Sequence, residues 1–269
     1  MSIITVSRGS YSRGKDVAEK LAQRLGYECV SRDVLIEASD EFNIPEIKLV
    51  RAIHDSPSVL DRFTHGKEKY VAYIRAAVLK RVLKDNVVYH GLAGHFFLQE
   101  VPHVLKVRII ADFEDRVKEE MKRENVSAEK ARYTLKKDDE ERRKWGLSLY
   151  GADTADSRLY DMVLHIKTLG VEDAVDVLFH AVNRPCFRTT PQTQQVLGDL
   201  CQAAQVQAAL VAGFPSVRVT AKNGKVFVSG VETSLLMERE VAAEVTKLAR
   251  KVPGVDEVTV STTHSITSD

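Results

Sequence analysis

The chain has 269 residues, 44% hydrophobic and 29% charged, which is enough for one large domain or two. Its net charge of +1 supplies no global field for nucleic acid or an anionic membrane, although a local basic cluster could still hold phosphate. No run approaches the roughly 20 apolar residues of a membrane span, and the N-terminus lacks the basic and long apolar segments of a signal peptide. Three scattered cysteines (Cys29, Cys186, Cys201) argue against a metal site or a disulfide framework, so a cytoplasmic location is expected.

The first predicted element is a strand at Ile3–Ser7, followed by the loop Gly9-Ser10-Tyr11-Ser12-Arg13-Gly14-Lys15-Asp16. A helix then carries Val17, Ala18, Leu21, Ala22 and Leu25 on one stripe. Gly9 to Lys15 fits the G-x-x-x-x-G-K pattern of a phosphate-binding P-loop in its strand–loop–helix setting. Backbone N–H groups from Gly9 to Val17 and the helix N-terminus would face phosphate oxygens, with glycines allowing positive φ. Lys15 would reach the β- and γ-phosphates. Asp16 stands where Ser or Thr usually follows the lysine. The plain alternative is a glycine turn with no ligand.

Further strands are predicted at Tyr27–Val30, Asn86–His90, Val104–Ala111 and Met162–Ile166, separated by helix-like segments. This alternation predicts an α/β fold with a five-stranded parallel sheet and helices on both faces. At the third strand's end, His90 and His95 flank Gly91-Leu92-Ala93-Gly94; such a pair would bind phosphate or accept a phosphoryl group, or be simple hydrogen-bonded core histidines. From Phe113 to Tyr150 the chain is dense in charge, with Phe113, Val117 and Met121 forming one helical stripe. This segment reads either as a solvated helical surface or as a lid carrying Arg116, Arg142 and Arg143 over a phosphate site. Trp145 packs the closed lid or anchors its helix.

Residues 184–194, rich in Pro and Thr, read as a linker. Beyond it, Val217, Val219 and Ala221 alternate with polar residues, Asn223-Gly224 marks a hairpin, and Val226 and Val228 continue the pattern. A helix follows with Val241, Val245, Leu248 and Val252 on one face; Pro253-Gly254 ends it, and Val258 and Val260 begin a last strand. These elements form a small α+β unit with its own core.

The series Ile3-Thr5-Ser7-Arg8-Gly9, Gly14-Lys15-Asp16, Arg32-Asp33, Val107–Ala111 before Glu114-Asp115-Arg116, Asp139-x-x-Arg142 and Tyr160-Asp161-Met162-Val163-Leu164 resembles the cytidylate kinase-like branch of the nucleoside monophosphate kinases. The resemblance covers residues 1–183 and places a lid near 125–150. It implies ATP and Mg²⁺ as cofactors and transfer of the γ-phosphoryl group to a nucleoside monophosphate, CMP or dCMP first. By the same resemblance, Lys15, Arg116, Arg142 and Arg143 are catalytic. Arg8, Arg32, Asp33, His90, Gly91 and Asp161 bind the acceptor, with Asp161 at its ribose. Asp16 or Asp112 would hold the metal through water.

The sequence departs from that pattern at His90-Gly91-Leu92, where Leu92 replaces an expected acceptor-phosphate arginine. This leaves two alternatives open: a nucleotide-binding regulatory protein without turnover, or a P-loop kinase for another small molecule. The second unit, 195–264, resembles a BON domain through Val217-x-Val219, Asn223-Gly224-Lys225-Val226-Phe227-Val228-Ser229-Gly230-Val231 and Val252-Pro253-Gly254-Val255-x-x-Val258, with residues 265–269 as a tail. Its mixed charges point to a protein partner or self-association rather than membrane docking, and no nucleic acid is expected.

Overall fold

The computed structural model describes residues 2–31, 33–43, 66–91 and 93–264. Five strands, β1 (Ile3–Arg8), β2 (Glu28–Val30), β3 (Val87–His90), β4 (Val104–Ala111) and β5 (Met162–Ile166), form one parallel sheet in the order β2-β3-β1-β4-β5. The two central neighbours of β1 put the carboxyl ends of β1, β3 and β4 side by side. Such a crevice is where ligands bind in open α/β sheets.

The strands are apolar on both faces because helices cover both. On one face Ile4, Val6, Val88, Leu105, Val107 and Ile109 pack against α1 (Gly14–Leu25) and α7 (Val171–Val182). Val17, Ala18, Leu21 and Ala22 supply the α1 stripe at helical spacing. On the other face Ile3, Val87, Tyr89 and Val104 meet α2 (Asp33–Phe42), α3 (Gly66–Val82) and the short α4 (Gly94–Phe97).

The charged segment folds as two helices, α5 (Phe113–Glu124) and α6 (Ala128–Tyr150). Ser127 caps α6 by accepting from the Lys130 N–H. The first half of α6 buries Ala131 and Leu135 against Val117 of α5. Its second half enters the main core through Trp145, which is 2% exposed. Trp145 therefore anchors the helix into the body of the protein.

Thr190, Pro191 and Thr193, which read as linker composition, open a 20-residue helix, α8 (Pro191–Leu210). Thr190 and Thr193 cap one another reciprocally and Pro191 occupies the first turn. One stripe of α8 (Leu197, Cys201, Ala204, Ala208) joins the core beneath α3. A second stripe (Ala203, Val206, Leu210) covers a separate three-stranded sheet, β6 (Arg218–Lys222), β7 (Lys225–Thr233) and β8 (Glu257–His264), together with α9 (Glu238–Ala249). In this sheet β6 and β7 are antiparallel, and β7 and β8 parallel. The helix is thus buried on two sides and ties the small sheet to the large one. Gln207 links them further: it accepts from Arg75 of α3 at 3.2 Å and donates to the Val217 carbonyl at 3.3 Å.

Candidate active site

The loop from Gly9 to Arg13 joins β1 to α1 at the carboxyl edge of the sheet. Its positive φ values belong to Tyr11 (57°) and Arg13 (66°), not to its glycines. This corrects the expectation that glycine supplies the left-handed conformation. The glycines are needed for close approach: a Cβ on Gly14 would fall 2.6 Å from the Cβ of Arg8, and one on Gly9 3.3 Å from the Arg116 guanidinium carbon. Two non-glycine residues in the left-handed region carry strain of order 1–3 kcal/mol each, which surrounding contacts must offset.

Those contacts come from α5 and α6. Tyr11 donates its hydroxyl to Glu124 at 2.9 Å, and Arg13 donates to Glu119 at 2.6 Å. Arg116 donates Nε to the Ser10 carbonyl at 2.7 Å and both terminal nitrogens to Asp139 at 2.8 and 2.9 Å. Ser10 Oγ donates to Asp138 at 2.9 Å and accepts from Arg142 at 2.8 Å. The loop is therefore tied to both α5 and α6.

Two cavities flank the loop. One, of about 560 Å³, opens over β1, β3 and β4 and is lined by Arg8, Lys15, Arg108, Arg116, Arg142 and Arg143 among its cations. It is deep enough for a small ligand. The other, of about 660 Å³, lies between the loop and α5–α6 and includes Ser10, Arg13, Asp16, Glu119 and Lys130. Arg8, Ser12, Lys15 and Arg142 line both, so they form the wall where the cavities meet.

The charges at that wall are poorly satisfied by protein. Arg8 Nε and one terminal nitrogen of Arg142 are enclosed without a hydrogen-bond partner among the described residues. Burial, and then the neighbouring Arg142 charge, weakens the hold of Arg8 on its proton; burial does the same to Arg142. Both guanidiniums stay charged, because arginine does not deprotonate in proteins. Like charges held together and out of water call for an anion between them. Lys15 is half exposed, and Glu19 is its one ion-pair partner among the described residues, at 3.6 Å. Arg143 is paired with Asp153 at 2.9 Å at the cavity rim, and the Ala155 N–H and Arg143 hold the Asp153 carboxyl below its ordinary range.

Of the acceptor residues read from sequence, Arg8, His90 and Gly91 line the first cavity. Arg32 and Leu92 lie outside the described residues; Asp33 opens α2, and its side chain is likewise outside them. Asp161 is not brought to the site. It sits at the amino end of β5, away from the crevice, and its carboxylate accepts from the Lys106 backbone at 2.8 Å. Its neighbour Tyr160 reaches inward instead, where its hydroxyl bonds Thr154 O at 2.9 Å, Ser7 Oγ at 3.2 Å and His95 Nε2 at 3.3 Å. His95 is held neutral: burial and the nearby Arg108 lower its pKa to about 3.

The Val17 side chain is fully buried in the core, so only its backbone is left to meet a ligand. Asp16 lines the second cavity with Arg13 at 3.6 Å. Asp112 lines neither: at the start of α5 it binds Lys167 at 2.6 Å and His165 at 2.9 Å. Among the described residues no group of three or more His, Cys, Asp or Glu side chains could hold a metal. Asp153 was not singled out from the sequence, and Arg108 and Tyr160 stood there only as motif residues without a role. The available signal for Arg108 was a charge, with Lys106 the other, in an otherwise apolar strand.

A model of the cytidylate kinase-like family matches residues 3–168, more than half of the chain. The chain belongs to the cytidylate kinase-like family. A cytidylate kinase from Ignicoccus hospitalis is 25% identical over 179 residues, spanning 66% of this chain and 97% of that relative. An uncharacterized protein from Eubacterium ventriosum superposes with a TM-score of 0.53 at 22% identity, covering 68% of this chain and all of the other, a likeness of fold. A shikimate kinase from Bacteroides thetaiotaomicron superposes over the same 68% with a TM-score of 0.44 at 10% identity. The match spans the large sheet together with α5 and α6, and stops before α7 and the small sheet. Among the described residues no helix is long and apolar enough to cross a membrane.

Proposed function

We propose that this chain is an ATP-dependent phosphotransferase that moves the γ-phosphoryl group of ATP to a nucleoside monophosphate, CMP or dCMP first. One observation carries the reading: Arg8 and Arg142, half-buried and each with an enclosed nitrogen that finds no acceptor among the described residues, stand where the two cavities meet beside Lys15. Phosphoryl transfer needs positioning and charge neutralisation more than covalent help from the protein. Donor phosphates on the Gly9–Asp16 loop and an acceptor in the 560 Å³ cavity would face each other across this wall. Lys15, Arg8 and Arg142 would neutralise the transferring group, while Arg116 holds loop and lid in register through Ser10 and Asp139. Mg²⁺, which shields the donor phosphates when bound, usually takes one or two carboxylates plus phosphate oxygens and waters. Asp16, beside Lys15, fits that sparse role through a water; Asp112, tied to Lys167 and His165, does not.

The test is ADP release from ATP·Mg²⁺ with a panel of nucleoside monophosphates, comparing the intact chain with Lys15→Ala. Lysine-dependent release with one acceptor supports the proposal, and none with any acceptor removes it. A second reading, nucleotide binding without turnover, is favoured by the engagement of Arg116 with Asp139 and Ser10. Calorimetry would then find ATP binding and no transfer.

The division of the chain is part of the same proposal: a kinase-like domain over 1–183, a connection at 184–194 and a BON-type module at 195–264 that meets a protein partner or a second copy. Support comes from the helix–strand–strand–helix–strand order of α8 to β8 and from Gly230, where φ is 72° and a Cβ would fall 2.5 Å from the Ser216 carbonyl. Leu235 and Leu236 are exposed beside it, and Leu236→Asp would lower self-association measured by light scattering if the module pairs with itself.

A further inference from the structure

We propose that Arg108 anchors the phosphate of the acceptor and so supplies the cation that Leu92 does not. This rests on the reading of the first cavity as an acceptor site. Arg108 lies on β4 between Ser7 of β1 and Val163 of β5. It lines the first cavity and not the second, unlike Arg8, Lys15 and Arg142, which line both. Its place is therefore on the acceptor side of the transfer wall.

The guanidinium is held but not neutralised. One terminal nitrogen donates to the Thr154 carbonyl and to Tyr160 Oη at 3.2 Å, and the guanidinium stands 5.6 Å from the centre of the Tyr160 ring. These contacts fix its plane. Nε and the other terminal nitrogen have no hydrogen-bond partner among the described residues, nor are they sealed off as Arg8 Nε is. Among the described residues no carboxylate pairs with Arg108, whereas Arg116 has Asp139 and Arg143 has Asp153. A rigid fork with free donors, facing a cavity with a surplus of positive charge, matches a phosphate monoester dianion. His95 beside it is neutral and adds no competing cation.

The experiment compares binding of CMP, cytidine and ATP to the intact chain, Arg108→Met and Arg108→Lys by calorimetry. Thermal melts verify folding, since Arg108 also holds Thr154. The expected result is a loss of about 10- to 100-fold in CMP affinity for Arg108→Met. Cytidine and ATP affinities should stay within about threefold. Arg108→Lys, which keeps charge without the fork, should fall between, and it carries the test alone if the Met variant does not fold. Parallel losses for CMP and cytidine, or no loss for CMP, would overturn the assignment. If the intact chain binds no CMP, the acceptor reading fails separately. Inorganic phosphate then becomes the probe: weaker phosphate binding in Arg108→Met upholds the anion site, and equal binding overturns it.

Discussion

Replacing Arg116 with methionine should loosen the closed loop–lid arrangement by an amount the contacts set. Arg116 is 8% exposed; its Nε bond to the Ser10 carbonyl is buried, whereas the Asp139 carboxylate is 41% exposed. A buried bond from a charged donor is worth roughly 1.5 kcal/mol at the low end. The half-exposed ion pair adds about 0.2–1 kcal/mol. Methionine keeps the apolar stem, so the loss is about 2 kcal/mol, which for a chain of this size lowers Tm by roughly 4–8 °C. Asp139→Asn removes only the exposed pair and should cost about 1 kcal/mol or less. Thermal unfolding followed by circular dichroism measures both. The double variant should match Arg116→Met, because the second change has no partner left to remove. Equal losses for the two single variants, or no loss for Arg116→Met, would refute the view that the buried Ser10 contact holds the loop.

Gly14→Ala should abolish ATP binding in calorimetry while the chain stays folded, because the new Cβ would press on Arg8 Cβ and push the loop off its phosphate-facing geometry. Leu197→Ala and Val206→Ala, on opposite sides of α8, should each destabilise the same single unfolding transition, the former by about 2–5 kcal/mol; two separate transitions would show that α8 does not unite the two cores. His95 should make the protein acid-sensitive. Its folded pKa of about 3 lies below the unfolded value near 6.5, so the unfolded state binds the extra proton between them. Stability from this residue is complete above the unfolded pKa and falls by about 1.4 kcal/mol per pH unit as the pH drops below it. Urea titrations at pH 7 and pH 5 should show a steeper acid loss for the native chain than for His95→Gln, and parallel losses would contradict it.

The large sheet was legible because buried parallel strands are plain apolar runs, and each observed strand lies at its predicted position to within one or two residues. The P-loop was legible as a pattern but not as a conformation: its left-handed residues are Tyr11 and Arg13, which only the contacts with α5 make tenable. Helix α8 escaped notice for a physical reason. Its two apolar stripes face two cores, which blurs the single-sided period that marks an amphipathic helix. Its Pro and Thr residues resembled a linker because capping uses the same residues. In the site, Tyr160 and Asp161 show how far one residue matters: the first bonds Ser7, His95 and Thr154 in the cavity wall, and the second turns to the Lys106 backbone. Arg108 was visible as a motif residue, but its role depends on Thr154 and Tyr160, about 50 positions away in sequence.

The central claim is that donor and acceptor cavities meet at Arg8 and Arg142. A bisubstrate analogue, cytidine and adenosine joined through five phosphates, tests this most directly. The account predicts one analogue per chain, bound at least ~100-fold tighter than ATP alone, with the advantage lost in Arg8→Met and Arg142→Met. Binding no tighter than that of ATP, or unchanged by both substitutions, would contradict it.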